Sequence, residues 1–160
     1  MYLKLAGCVC IIASCLCGCA ELWRRDRIRL CRIDGYLRLV AFIRGEVEGY
    51  LTPQARIFEK CPARIPIDCG HRGNTPPRGL SELIGEGESR GELDGECLLA
   101  IGELAASFGG SCRGDEVRMC DRCTERLGAH RAAPAGDMPA RRRALISALL
   151  CAVAATVVFI

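Results

Sequence analysis

The chain has 160 residues, the size of a single domain, and half of them are hydrophobic. Its 22 basic and 19 acidic residues leave a net charge of +3, without the clear basic surplus that nucleic-acid binders usually carry. Much of the hydrophobic content lies in two apolar runs, residues 5–20 and 144–160, so the polar middle can bury only a small core.

The first apolar run, residues 5–20, predicts a membrane-spanning helix followed by Trp23, a residue type common at membrane interfaces. A competing interpretation is a cleaved lipoprotein signal, because residues 16–19 resemble a lipoprotein cleavage box in which Cys19 would carry the lipid. A signal peptide has its positive charge before the apolar core. Here only Lys4 precedes the run and five arginines follow it, which favours an uncleaved anchor.

The next segment, residues 28–51, is predicted to form one amphipathic helix because apolar residues recur every three or four positions. These inward residues are Leu30, Ile33, Leu37, Val40, Ile43, Val47 and Tyr50. The charged residues assigned to the opposite, solvated face are Arg29, Arg32, Arg38, Arg44, Glu46 and Glu48. Thr52 and Pro53 interrupt the pattern, and a second helix is predicted from Pro53 to Cys61.

Prolines and glycines are concentrated in residues 62–79, which are predicted to form a loop. A short helical piece is predicted from Leu80 to Ile84, and the glycines of residues 85–95 weaken the stretch that follows. No alternating pattern long enough to indicate a strand is present, so the predicted fold class is all-α.

Two stronger helices are predicted in the second half of the middle region. The first runs from Glu96 to Phe108, and the second begins near Ser111 or Asp115 and ends near His130. The inward residues of the first are Leu98, Ile101, Leu104, Ala105 and Phe108. Those of the second are Val117, Cys120, Cys123 and Leu127.

The second apolar run, residues 144–160, would extend about 26 Å as a helix, the short end of what crosses a bilayer. A linker with Pro134, Gly136 and Pro139 precedes it, and so do the arginines at 141–143. Both runs therefore carry basic residues on the side facing the middle of the chain, and basic flanks stay in the cytoplasm. We expect spans at 1–23 and 144–160, both termini outside, and residues 24–143 as a cytoplasmic helical domain.

Six of the 13 cysteines lie in the apolar runs, where cysteine behaves as a small hydrophobe. The remaining seven form an odd set, which argues against complete intramolecular disulfide pairing and favours reduced thiols. The strongest candidate metal ligands are Cys120 and Cys123, with Cys112 or His130 completing a zinc site. A second candidate group is Cys61, Cys69 and His71.

No metal is nevertheless predicted, because Cys120 and Cys123 fall on the apolar face of a helix and no second Cys-x-x-Cys pair is present. A phosphate-binding loop with its Gly-Lys pair is absent, so the chain is not itself an ATPase. Catalysis by a Ser-His-Asp or Cys-His group would need His71 or His130, the only histidines, and both lie in or near stretches with weak structural signals. We therefore predict a non-enzymatic protein without cofactor or metal.

The layout resembles that of the stage III sporulation protein AB family. The resemblance depends on Met1–Leu5 entering directly into an apolar helix, on the Gly49–Pro53 junction between two helices, on residues 104–115, and on the apolar tail. It implies a component of a secretion-like channel in the mother-cell membrane around the forespore. It also implies other channel proteins, including an ATPase, as partners, and a helical domain similar to cytoplasmic domains of the type II secretion platform protein.

Overall fold

The computed structural model describes residues 2–50, 54–110, 112–132 and 147. Within these ranges the regular elements are helices and no strand occurs, so the predicted all-α fold class is confirmed. Residues 28–132 form one compact unit, and residues up to 27 belong to a second. Among the described residues, no helix is both long and apolar enough to cross a membrane.

The two predicted spans lie only partly inside this description. Residue 147 is the one described position of the predicted span at 144–160, and the linker with Pro134 and Pro139 is outside the described residues. The predicted span at 1–23 falls in the first helix, but the side chains of residues 2–6, 8, 9, 11, 12 and 15 are not described.

The first helix, α1, is continuous over Tyr2–Gly45 and passes into a π-helical turn at Glu46–Tyr50. Its core face is fully buried at Ile33, Tyr36, Leu39, Val40 and Ile43. The prediction that Tyr50 points inward is wrong, because its side chain is 75% exposed. A π-helical turn holds more residues than an α-helical turn, so a position expected on the core face rotates away from it.

Two short helices follow α1. Helix α2, Gln54–Lys60, agrees with the predicted element and buries Ile57 and Phe58. Helix α3, Arg64–Cys69, lies where a loop was predicted, so that prediction is wrong. Pro66 is the third residue of α3, and its missing N–H is not needed in the first turn of a helix. Gly70 ends α3 with a φ of 111°, a conformation that glycine adopts without strain.

Helix α4, Leu80–Arg90, continues well beyond the predicted end at Ile84. Tertiary packing offsets the low helix propensity of its glycines. At Gly87 a Cβ atom would lie 3.6 Å from both the Tyr36 hydroxyl and Leu93 Cδ1, so α4 packs closely against α1 at this position. Gly91 then ends the helix with a φ of 60°.

Helices α5, Gly95–Ser107, and α6, residues 113–132, agree with their predicted positions. Helix α5 packs against α4. The buried side chains of α5 and its end are Cys97, Ala100, Ile101, Leu104 and Phe108, and those of α6 are Cys120, Cys123 and Leu127. Leu98, Ala105 and Val117 are partly buried against the same core. The predicted inward faces of these helices are therefore confirmed.

Candidate functional site

Arg32 on α1 is central to a group of partly buried ion pairs in the unit of residues 28–132. Its Nε donates to Glu92 Oε2 at 2.6 Å, and Nη1 donates to the carbonyl oxygens of Ile67 and Asp68, both at 3.1 Å. The side chains of Arg32 and Glu92 are only 18% and 16% exposed. The last carbonyl groups of a helix lack partners within it. The Ile67 carbonyl also accepts from the Gly70 N–H at 3.0 Å, and Arg32 adds a donor to it and to the Asp68 carbonyl, while Glu92 balances the charge of Arg32.

Neighbouring residues extend this ion-pair group. Arg29 pairs with Asp94, and Arg38 Nη1 donates to Asp68 Oδ2 at 2.8 Å. The prediction that Arg29 and Arg32 lie on a solvated face is therefore wrong. Apolar periodicity finds the core face of a helix, but it does not show which flanking charges meet acidic residues from a distant loop.

Gly35, one turn after Arg32, lies where the backbone at the end of α3 crosses α1. A Cβ atom at this position would be 2.6 Å from the carbonyl carbon and oxygen of Asp68 and 2.8 Å from the nitrogen of Cys69. Any side chain would therefore push backbone away. Together, Arg32 and Gly35 hold α3 against α1, one through hydrogen bonds and the other by allowing close approach.

His71, a candidate catalytic or metal-binding residue, is buried beside α4. Its Nε2 is 2.8 Å from the carbonyl oxygen of Thr75, and its Nδ1 is 3.3 Å from Glu86 Oε1. The second contact is close but not aligned as a hydrogen bond, since Nδ1 has no hydrogen-bond partner among the described residues. Arg90 also contacts Glu86 at 3.5 Å and donates to the carbonyl of Gly70 at 2.6 Å. His71 and Arg90 thus fasten the loop after α3 to α4.

The candidate metal ligands around α6 are divided between the core and the surface. Cys120 and Cys123 are buried, as the apolar-face interpretation predicted. Cys112 is exposed and its Sγ is 2.9 Å from Asp115 Oδ2, while His130 Nε2 lies 3.0 Å from a Glu96 carboxylate oxygen. No group of three or more His, Cys, Asp or Glu side chains among the described residues is placed to hold a metal ion.

The buried thiols are poor nucleophiles for a physical reason. Burial raises the pKa of Cys120 to about 11 and that of Cys123 to about 12, because the apolar surroundings disfavour the thiolate. Burial acts in the same direction on Cys61, with a pKa of about 11, and on Cys69, with a pKa of about 12. The second candidate metal group therefore consists of two protonated thiols and a histidine already positioned by Thr75 and Glu86.

An open groove between α5 and α6, with a volume of about 340 Å³, was not predicted from the sequence. Arg126 Nη1 donates to Glu103 Oε2 at 2.7 Å between the two helices. The residues that line the groove are Ala100, Glu103, Leu104, Met119, Arg122, Cys123, Glu125 and Arg126. Apolar periodicity predicted the two helices and their inward faces. The groove depends on how α5 and α6 pack against each other, which the local sequence does not specify.

The described part of α1 before residue 28 has a different character from the ion-pair group. Leu16, Leu22 and Trp23 are 52%, 54% and 53% exposed. Arg24 and Arg25 follow immediately, with side chains that are 66% and 74% exposed. Exposed large apolar side chains and exposed arginines therefore follow one another directly along this part of α1.

Comparison with known proteins gives no relative, because no family model, curated protein or solved structure matches the chain.

Proposed function

We propose that the chain is a non-enzymatic, membrane-anchored component of the mother-cell and forespore sporulation channel, and a platform-like partner for its ATPase. The single observation that carries the membrane-anchored part of this proposal is the continuity of α1. One helix, Tyr2–Gly45, carries exposed apolar side chains at Leu16, Leu22 and Trp23, and its later residues form the core helix of the unit of residues 28–132. The link to sporulation depends on the sequence resemblance described above.

The chemistry of the described side chains supports a binding role rather than a catalytic one. His71 and His130 each lie against a carboxylate, and four buried or half-buried thiols have pKa values of about 11 or 12. Thiols with such values remain protonated near neutral pH and attack electrophiles slowly. The arrangement is typical of a structural domain that presents surfaces to partners.

The membrane part of the proposal is supported by the apolar runs at 5–20 and 144–160 and by the arginines beside them. In this proposal residues 1–23 and 144–160 cross the membrane, and residues 24–143 face the cytoplasm of the mother cell. The exposed Leu16, Leu22 and Trp23 would then lie in lipid or at its interface, where their exposure to water ends.

The proposal is tested with a tagged copy expressed in the mother cell of an endospore-forming bacterium and recovered in detergent during sporulation. We expect the channel ATPase to be recovered with it, and a strain lacking the chain to form no spores. Normal sporulation without the chain would refute the function. Lipid attached to Cys19, found by mass spectrometry of the purified chain, would instead favour the exported lipoprotein.

Two variants separate folding from partner capture. Val40 is fully buried, so Val40→Asp places a charge in the core, at a cost of several kcal/mol, and should lower the protein level. Reversing the charges of Arg38 and Glu48 breaks their ion pairs with Asp68 and Arg44, but the two side chains are 61% and 51% exposed, so the protein level should fall much less than in Val40→Asp while recovery of the ATPase weakens. Glu46 is not suitable for this variant, because its side chain is only 12% exposed and pairs with Lys60.

A further inference from the structure

Residues 16–27 of α1, here called the interfacial segment, change from apolar to basic within one helical turn. Leu22 and Trp23 are half exposed and are followed by Arg24, Arg25 and Arg27, all of which are exposed. Helical geometry places Leu16 and Trp23 on one side and Leu22 about 100° around the axis. A single partner helix would cover only one of these sides, whereas a bilayer surrounds the helix.

The charges of the interfacial segment are incompletely balanced. The carboxylate of Glu21 is shared, because it accepts from Arg24 Nε and Nη2 at 2.9 Å each and from Arg25 Nε at 3.3 Å. An arginine carries five N–H donors, so both side chains keep donors that are available to another acceptor. Arg27 has no ion-pair partner among the described residues, and Asp26 is the only other acid between residues 21 and 27.

We propose that the guanidinium groups of Arg24, Arg25 and Arg27 bind the phosphates of anionic phospholipids, with Trp23 at the level of the headgroups. This inference rests on the proposed membrane anchoring and adds the class of lipid that the anchor selects. Guanidinium groups bind phosphate oxygens through paired N–H donors, and a net negative headgroup adds long-range attraction to the surplus positive charge. A tryptophan prefers the same depth because one part of its ring is apolar and another donates a hydrogen bond.

Trp23 is the only tryptophan of the chain, so intrinsic fluorescence reports on this position alone. The full chain is reconstituted into vesicles that contain equal amounts of phosphatidylcholine and phosphatidylglycerol, with bromine on the acyl chains of one lipid or the other. Brominated lipid in contact with Trp23 quenches its fluorescence. We expect quenching to indicate a preference of about fivefold or more for the anionic lipid.

The matched variants are Arg24→Gln/Arg25→Gln/Arg27→Gln and, as a control, Arg113→Gln/Arg118→Gln/Arg122→Gln on α6. Both remove three exposed positive charges. Loss of the preference in the first variant alone supports the proposal. Lipid selection by these arginines would be overturned if both lipids quenched the unmodified chain equally, or if the control variant lost the preference as well. Membrane anchoring would stand in either case. Absence of quenching by either lipid would refute the anchoring itself.

Discussion

Gly35 provides the most direct test at the scale of single residues. Gly35→Ala should lower the free energy of unfolding by about 1–3 kcal/mol, because the new methyl group meets backbone atoms of Asp68 and Cys69 that cannot rotate away. The measurement is thermal unfolding followed by circular dichroism. Gly102→Ala on α5 is the control, since it enters open space and should raise stability by up to about 1 kcal/mol through helix propensity. If the free energy of unfolding changed in the same direction in both variants, the close contact between Gly35 on α1 and the end of α3 would be contradicted.

The buried thiols of Cys120 and Cys123 should make the free energy of unfolding fall at alkaline pH. Their folded pKa values of about 11 and 12 lie above the usual value of 9.0, so the unfolded chain loses these protons first. Their contribution to stability is therefore complete below pH 9 and is lost as the pH rises through the folded values. Urea unfolding at a series of pH values should show this decline.

The double variant Cys120→Ala/Cys123→Ala should lose less stability than the unmodified chain between pH 9 and 11. Cys112→Ala, at an exposed position, should retain the full decline. An identical decline in the double variant would show that these thiols are not responsible.

We also expect no stoichiometric zinc in the purified protein. A content of about one zinc per chain that is lost in the Cys120→Ser variant would contradict this prediction.

At the scale of helices, α3 depends on Arg32 more than on its own six residues. Arg32→Ala should destabilise the chain by about 3 kcal/mol or more, since it leaves Glu92 unpaired and removes two hydrogen bonds to the end of α3. Arg38→Ala is the matched control on the same helix. The Arg38 side chain in its pair with Asp68 is 61% exposed, so the cost should stay below about 1 kcal/mol. Denaturant midpoints of the two variants that do not differ would count against this role for Arg32.

The helices differ in how well the sequence predicted them. For α5 and α6 the apolar spacing, the glycines after α5 and the buried faces agree, so local and tertiary preferences coincide. For α3 and α4 they conflict, because Pro66, Gly85 and Gly87 indicate a break in the local sequence. Long-range contacts, from Arg32 to α3 and from Tyr36 to α4, decide the outcome there, and a single sequence does not contain those pairings.

At the scale of the whole molecule, the predicted topology is tested with thiols whose exposure is now known. Cys31 and Cys112 are exposed, whereas Cys120 is buried. If residues 24–143 are cytoplasmic, an impermeant maleimide added to intact cells should leave Cys31 and Cys112 unmodified and should label both after lysis. Cys120 should remain unlabelled in either case, which serves as the internal control. Labelling of Cys31 and Cys112 before lysis would rule out the hairpin topology.

The sequence shows the charged residues of the ion-pair group, but it does not show which of them pair. Arg29 and Arg32 are visible as basic residues of a helix, and Glu92 and Asp94 as acids of a glycine-rich stretch. The sequence separation between partners is 65 positions for Arg29 and Asp94 and 60 for Arg32 and Glu92. His71 was considered as a catalyst, and its contacts with Thr75 and Glu86 instead fix a loop. Residue types indicated which chemistry was present, and only the fold showed how it is used.

The crossing of α1 and α3 also defines a short signature by which distant relatives could be recognised. Only glycine fits at position 35, and an arginine one turn earlier reaches the carbonyl groups of the helix that crosses there. The combination is Arg-x-x-Gly in the first helix and, 35 residues after that glycine, the glycine that follows a short helix. Chains with this fold should keep the arginine and the glycine even where the rest of the sequence has diverged, and a chain that replaces one of the two should also replace the other.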